Sequence, residues 1–158
     1  MNIINEAGLL ALATRLQRLS ERIRKDGALI YKESGIDFEP KWFPVVYALH
    51  VKSSLSVVAI AAEIGYTHPS TIGLLKELEK NKLIVSRRDK QDERKRLIQL
   101  SKKGKDLVDR MQPVWNLITE ATAQLTLTQH NIMQAIEEVE AELNRQSFLQ
   151  RARQLKSE

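Results

Sequence analysis

The stretch that most constrains the fold of this chain runs from Leu83 to Lys105, LIVSRRDKQDERKRLIQLSKKGK. Two short runs with strand-like alternation flank a polar, turn-forming segment, which predicts a β-hairpin. The hairpin directly follows a helix-turn-helix pattern in which an Ala-rich helix capped by Ser56, a turn at Gly65 and a second helix opened by Pro69 can be distinguished. The order helix, turn, helix, strand, wing, strand is that of a winged helix, which favours DNA binding.

The distribution of charge supports this interpretation. Residues 86–105 contain nine Lys or Arg and three Asp or Glu, whereas the whole 158-residue chain has a net charge of only +5. Residues 106–158 contain five basic and eight acidic side chains, so the positive charge is concentrated at the predicted wing. A localised basic patch favours a polyanion such as duplex DNA over an acidic small substrate.

The same stretch resembles the wing of the MarR family of bacterial transcriptional regulators. In that family a D-x-R pair precedes an apolar strand, which is followed by Leu-Ser/Thr, two polar residues and Gly. The matching residues here are Asp92, Arg94, Leu97 to Leu100, Ser101 and Gly104. The specific part of the resemblance covers residues 56–104, and it departs from the common pattern at Lys95, where many members carry a second arginine. The resemblance implies a homodimeric regulator, typically a repressor, that binds an inverted-repeat operator in double-stranded DNA and is released by a small, often aromatic, ligand.

The candidate DNA contacts lie on the second helix and on the wing. Ile72, Leu75 and Leu78 share one side of the helix, which leaves the polar residues of its first turn for the major groove. The resemblance implies that Arg94 enters the minor groove while Asp92 braces it, and a planar, permanently charged guanidinium suits that narrow, negative groove. The residues predicted to contact DNA are His68, Ser70, Thr71, Lys76, Arg88, Lys90, Arg94 and Lys95.

Long amphipathic helices are predicted on both sides of the winged helix. Ser101 is expected to cap one of them, and Thr126 and Gln129 have the spacing of a capping box that would open the last. These helices have more apolar surface than one small lobe can cover, which favours pairing with a second copy, and the resemblance implies the same helices for the dimer. The N-terminal stripe is Leu9, Leu12, Leu16, Leu19 and Ile23, and the C-terminal stripe is Ile132, Met133, Ile136, Val139 and Leu143.

The predicted fold class is therefore mainly α, a winged helix-turn-helix with a small β-hairpin wing between long N- and C-terminal dimerisation helices. We expect a single domain over residues 1–158, with the winged lobe at about 45–104 and the dimerisation helices at about 4–34 and 104–155. In the resembled family, ligands bind where the dimer helices meet the lobe. This implies ligand contacts at Trp42, Phe43, Tyr47 and Trp115, although aromatic residues at helical spacing more often belong to a core.

Several other classes of function find no support in the sequence. The chain has no cysteine, which excludes disulfides, thiolate zinc sites and thiol-based sensing. The three histidines (His50, His68 and His130) lack metal-binding spacing, and there is no glycine-rich phosphate loop, so we expect no metal, no cofactor and no enzymatic activity. No apolar run approaches the roughly 20 residues that span a bilayer, and a cytoplasmic location is expected.

Two alternatives to a ligand-released regulator stay open. The chain could be an effector-independent architectural DNA-binding module, or a winged helix used for protein–protein assembly. Salt-dependent binding to duplex DNA separates the protein-assembly alternative from the two DNA-binding readings. Loss of that binding on addition of a ligand separates the regulator from the architectural module.

Overall fold

The computed structural model describes residues 2–157 and has the mainly α, winged-helix fold that the sequence predicts. Two 3₁₀ turns, Gly8–Ala11 and Pro40–Trp42, supplement the helices and strands. The chain forms two compact units, one ending at Ile118 and the other beginning at Thr119. In order, the elements are α1 (Ile3–Glu6), α2 (Leu12–Glu33), α3 (Phe43–Lys52), β1 (Leu55–Ser56), α4 (Val57–Ile64), α5 (His68–Lys80), β2 (Ile84–Arg88), β3 (Arg96–Leu100), α6 (Lys102–Leu125), α7 (Ile132–Arg145) and α8 (Phe148–Ser157).

Helices α4 and α5 form the helix-turn-helix, and local hydrogen bonds fix where each begins and ends. The Ser56 hydroxyl accepts the Ala59 N–H at 3.1 Å and caps α4, as predicted. Gly65 ends α4 in the left-handed region at φ +68°, which favours glycine. The Thr67 hydroxyl accepts the Ser70 N–H at 3.3 Å, so Thr67 caps α5 and His68 is its first helical residue.

The predicted wing hairpin is confirmed, and a third strand extends it. Strands β2 and β3 are antiparallel, with the register running from Ile84 opposite Leu100 to Arg88 opposite Arg96. The short strand β1 pairs with the other side of β3, which gives the sheet order β1-β3-β2. The sequence did not reveal β1 because two residues are too few to show strand alternation.

The apolar core of the first unit lies between α3, α4, α5, the sheet and the first half of α6. Close packing of this kind contributes most of the stability of a small fold. Its side chains are contributed by several elements, so that each helix of the winged lobe is held by the others. The fully or almost fully buried apolar residues are Val45, Val46, Leu49, Ile60, Leu78, Val108 and Met111.

The Leu-Ser-x-x-Gly pattern joins the start of α6 to the start of β2. The Ser101 hydroxyl donates to the Lys82 carbonyl at 2.6 Å and accepts the Gly104 N–H at 3.0 Å. The Ser101 N–H donates to the Leu83 carbonyl at 3.0 Å. A Cβ atom at Gly104 would lie only 2.1 Å from the Leu83 carbonyl oxygen, so only glycine permits this approach. The junction fixes the base of the wing against α6.

The N-terminal helix differs from the prediction of one continuous helix. It is divided into α1, a 3₁₀ turn and α2, because Gly8 has a φ of +59° and interrupts the helical backbone. The apolar stripe keeps its helical spacing from Leu12 to Ile23 within α2. Within residues 2–157, no helix is both long and apolar enough to cross a membrane.

The predicted start of the last helix is wrong. The Thr126 hydroxyl donates to the Thr122 carbonyl at 2.8 Å, after the end of α6, and is not part of a capping box. Instead, the Asn131 side chain accepts the Gln134 N–H at 3.1 Å and caps α7. The sequence analysis also predicted one last helix where the structure has two, α7 and α8.

A capping box does exist further along, and it opens α8. The Ser147 hydroxyl accepts the Gln150 N–H at 3.2 Å, and the Gln150 side chain accepts the Ser147 N–H at 2.9 Å. The Ser-x-x-Gln spacing that produces this pair is visible in the sequence. It was the signal that could have divided the predicted last helix into α7 and α8.

Candidate nucleic-acid interface

The wing tip, residues 89–95, is a tight turn held by its own backbone. The Asp89 N–H donates to the Lys95 carbonyl at 2.9 Å, and the Lys95 N–H donates to the Asp92 carbonyl at 2.9 Å. The Asp89 side chain also accepts the Gln91 N–H at 2.9 Å. These bonds order a polar turn that has no apolar core of its own.

Asp92 braces Arg94 through the backbone. Its Oδ1 accepts the Arg94 N–H at 3.0 Å, a local bond typical of aspartate in turns. In the part of the chain that the structure describes, the Asp92 carboxylate forms no ion pair with the Arg94 guanidinium. Asp92 instead fixes where the exposed Arg94 side chain leaves the wing.

The remaining basic residues of the wing are exposed and crowded together. Arg88, Lys90 and Lys95, which were predicted to contact DNA, all face solvent. Arg88 also lies directly opposite Arg96 across the hairpin. Like charges at directly opposed positions destabilise a sheet, and a bound anion would remove that penalty.

Helix α5 has one buried and one exposed side. Leu75 and Leu78 are buried, and so is Thr71, whose hydroxyl donates to the Thr67 carbonyl at 2.9 Å. Thr71 is therefore wrong as a candidate base contact, because its side chain lies in the lobe and stabilises the first turn of α5. The sequence does not distinguish these roles, because threonine occurs at helix starts, in protein cores and in contacts with the DNA major groove.

The other predicted residues of α5 lie at the surface. His68, Ser70 and Lys76 are all exposed. The Ser70 hydroxyl accepts a hydrogen bond from the Thr67 hydroxyl at 2.9 Å, which leaves its own O–H to donate. The structure thus provides a neutral donor and a cation on the exposed side of α5 and a histidine at its first residue.

Glu77 links α5 to the turn that precedes α3. It accepts hydrogen bonds from Trp42 Nε1 at 2.9 Å and from Lys41 Nζ at 3.0 Å. The bond from the Trp42 indole, followed by the bond from Lys41, holds the pKa of Glu77 below its usual value. The pKa of Lys41 is raised, mainly by its bond to Glu77. The negative charge of Glu77 is therefore balanced by Lys41. The sequence did not predict these contacts, because the residues that form them are far apart along the chain.

Trp42, which was predicted to contact a ligand, lies in the apolar core. Its ring is buried and packs edge-to-face against Phe38, with the ring centroids 5.7 Å apart. The single polar atom of its side chain, Nε1, donates to Glu77. Burial of the ring and satisfaction of the indole N–H are what a structural tryptophan requires.

The other three predicted aromatic residues do meet, at the surface of α3 and α6. Phe43 and Tyr47 are stacked with their centroids 5.2 Å apart, and both contact Trp115, at 5.6 and 5.7 Å. His50, which the sequence analysis did not include, completes the group at 6.1 Å from Trp115. The i, i+4, i+7 spacing of Phe43, Tyr47 and His50 on one helix was the signal that could have found it.

Known proteins resemble this chain in sequence and in structure. Residues 45–111 match the model of the transcriptional regulator SarA/Rot family. No curated protein sequence matches the chain. The repressor CouR bound to a 23-mer DNA duplex is 23% identical with a TM-score of 0.66, over 87% of this chain and 96% of CouR.

Two further solved structures have the same fold. The MepR–DNA complex of S. aureus is 22% identical with a TM-score of 0.63, over 85% of this chain and 94% of MepR. The organohalide-sensing regulator RdhR, in its 2,4-dichlorophenol-bound form, is 16% identical with a TM-score of 0.70, over 87% of this chain and 80% of RdhR. Residues 45–111 are therefore similar to the SarA/Rot family of transcriptional regulators, and the chain shares the winged-helix fold of the solved regulators CouR and MepR, the fold that its wing motif predicted.

Proposed function

We propose that this protein is a sequence-specific DNA-binding transcriptional regulator, in which α5 reads the major groove and the wing contacts the minor groove. The observation that carries the proposal is the exposed basic wing beside a helix whose polar side faces solvent. Ser70 and Lys76 on α5 and Arg94 on the wing supply a hydrogen-bond donor and two cations for base edges and phosphates. Arg88, Lys90 and Lys95 would contribute phosphate contacts that set affinity.

We propose further that the active form is a homodimer built from the outer helices. Both candidate surfaces expose apolar stripes, from Leu12 to Ile23 on α2 and from Met133 to Leu143 on α7. Their charges are complementary, since α2 contains six basic and three acidic side chains, whereas α7 contains one basic and four acidic. The α2 helix of one copy is thus matched in polarity and charge to the α7 helix of a second.

A two-fold dimer requires an operator with matching symmetry. We expect an inverted repeat whose half-site centres are about 10 base pairs apart, because two-fold related α5 helices enter successive major grooves on one side of the duplex. The test is to select bound sequences from random duplexes with the wild type and with Ser70→Ala in parallel. The variant should lose about 1 kcal/mol of discrimination within each half-site while keeping its circular dichroism spectrum.

Two results would contradict this function. If the wild type enriches no inverted repeat, sequence-specific regulation is wrong. If binding to duplex DNA does not weaken as salt increases, the wing is not a phosphate-binding surface and the protein-assembly alternative gains support. Repression, as opposed to activation, would be read from the position of the selected site relative to a promoter.

The group formed by the exposed rings of Phe43, Tyr47 and His50 and the half-buried Trp115 favours release by a small aromatic ligand. Stacked and edge-to-face rings offer flat apolar surface, and His50 adds a polar group beside it. The fold is shared with RdhR, whose structure contains 2,4-dichlorophenol. A phenol titrated into the DNA complex should release the duplex from the wild type but not from Tyr47→Ala.

A DNA-binding regulator acts in the compartment that contains the DNA, which for a bacterial protein agrees with the cytoplasmic location expected from the sequence. Its role requires binding and release and no chemical step. The proposal therefore assigns it no enzymatic activity.

A further inference from the structure

Gly73 stands in the middle of α5, where a glycine carries a cost. Glycine within a helix destabilises it by about 0.5–1 kcal/mol relative to alanine, since its backbone loses more freedom on folding. Helix α5 runs seven residues beyond Gly73, so the glycine is not a helix-ending cap. A mid-helix glycine calls for a physical reason.

The fold of this chain supplies no such reason. Gly8, Gly35 and Gly65 have positive φ angles, and Gly104 packs too closely against the Leu83 carbonyl for any Cβ. Gly73 has neither property. A Cβ built on it would meet no atom within 4 Å. An alanine would therefore fit the folded protein and stabilise the helix.

The position of Gly73 on the helix points outward. At 100° per residue it lies opposite the buried residues Thr71, Leu75 and Leu78. Ser70 and Lys76 flank it on the exposed side within about 60°. Gly73 is thus at the centre of the surface that α5 presents, with the polar candidate contacts on either side.

We propose that Gly73 is the point of closest approach between α5 and duplex DNA, and that its missing side chain sets how deeply the helix enters the major groove. This inference rests on the proposed DNA-binding function. Without a Cβ at the centre of the exposed surface, base edges can approach the helix backbone closely. At that distance the short side chain of Ser70 can reach a base edge in the major groove. Any side chain at position 73 would hold the helix further out and lengthen the contacts of its neighbours.

The experiment separates stability from binding with one matched pair of substitutions. Gly73→Ala is compared with Gly27→Ala, since Gly27 is also within a helix, and its added Cβ would make ordinary contact with Pro40 at 3.7 Å. Both variants should unfold at a temperature about 2–4 °C higher than the wild type. Affinity is measured for the operator selected by the wild type, by fluorescence anisotropy at fixed salt.

Gly73→Ala should bind that operator at least about tenfold more weakly, the effect of losing one good base contact, although it is the more stable protein. Gly73→Ser, with a larger side chain, should bind more weakly still. Gly27→Ala should bind within about twofold of the wild type. Loss of structure cannot explain a lower operator affinity in a variant that unfolds at a higher temperature than the wild type.

The outcomes are distinct. If Gly73→Ala and Gly73→Ser bind the operator as tightly as the wild type, the inference is overturned while the DNA-binding function stands. If the wild type itself binds no duplex, both the function and the inference fail. If Gly27→Ala weakens binding as much as Gly73→Ala, close approach at Gly73 is also overturned, because the effect would belong to helix stiffening in general.

Discussion

The winged lobe and the outer helices differ in what they leave at the surface. In the lobe, Val45 and Ile60 are completely buried, and the exposed side chains are mainly polar or basic. On α2 and α7 the apolar stripes are exposed, and Leu16 and Val139 are 49% and 53% exposed. The lobe completes its core within one chain, whereas the outer helices do not.

This difference indicates two kinds of partner. Exposed leucine stripes lower their free energy by leaving water, so they need an apolar partner such as a second copy. Exposed arginines and lysines remain well hydrated and lower their free energy by neutralising a polyanion. The same chain thus separates the surface for assembly from the surface for DNA, and substitutions can test whether the two are independent.

The largest effect is expected from Leu16→Glu on α2. Burying a leucine contributes about 1.5–3 kcal/mol, and a two-fold dimer loses this contribution twice, so the dimer dissociation constant should rise more than a hundredfold. Sedimentation equilibrium at micromolar concentration measures this. The wild type should have about twice the 18.1 kDa mass of the chain.

Thr14→Glu is the control for that substitution. Thr14 is exposed on the opposite side of α2, and the substitution introduces the same charge there. It should leave the dimer intact. A wild type that sediments as a monomer, or a Leu16→Glu variant that stays dimeric, would break the comparison by showing that the exposed stripe has no apolar partner.

Gly104→Ala should damage the lobe and leave α2 and α7 unchanged. The added Cβ would meet the Leu83 carbonyl oxygen at 2.1 Å, so the wing and α6 must separate. Overpacking of this kind costs about 3 kcal/mol, and urea unfolding should show it as a lower midpoint. A loss below about 0.5 kcal/mol would mean that the junction at Ser101 adjusts easily.

Arg94→Ala should weaken operator binding by about 1–3 kcal/mol and reduce the preference for A·T steps beside each half-site. Lys90→Ala should weaken binding to all sequences about equally, because a phosphate contact carries no sequence information. Neither change should alter dimerisation. Equal and small effects of the two would show that Arg94 is one more phosphate contact.

The features that the sequence predicted well are those written in local patterns. The wing, the Ser56 cap and the stripe along α2 follow from alternation, capping chemistry and helical spacing, each of which operates within a few residues. The exposed positions of Ser70 and Arg94 followed from the same patterns. Their roles in binding DNA remain predictions.

The features that the sequence missed depend on contacts between distant residues. The side chain of Glu77 meets Trp42 and Lys41 from about 35 positions away, and no periodicity reports such a pair. Thr71 was misplaced because a threonine at a helix start fits both burial and exposure, and packing decides between them. The strand β1 forms only because β3 offers it an edge.

The smallest effect is expected from Glu77→Gln, which tests whether the lobe is as complete in its polar contacts as in its apolar core. The Trp42 and Lys41 hydrogen bonds hold the pKa of Glu77 below its ordinary value of 4.5. The carboxylate therefore contributes stability that is fully present above pH 4.5 and is lost as the pH falls through the lowered pKa.

Glutamine keeps an acceptor for Trp42 but has no charge for Lys41. The unfolding midpoint of the variant should lie slightly below that of the wild type at pH 7, and the gap should close in acid. Glu79→Gln, at an exposed position of the same helix, should show no such convergence. A gap that stays unchanged as the pH is lowered until NMR shows Glu77 itself to be protonated would mean that Glu77 acts through its shape and not through its charge.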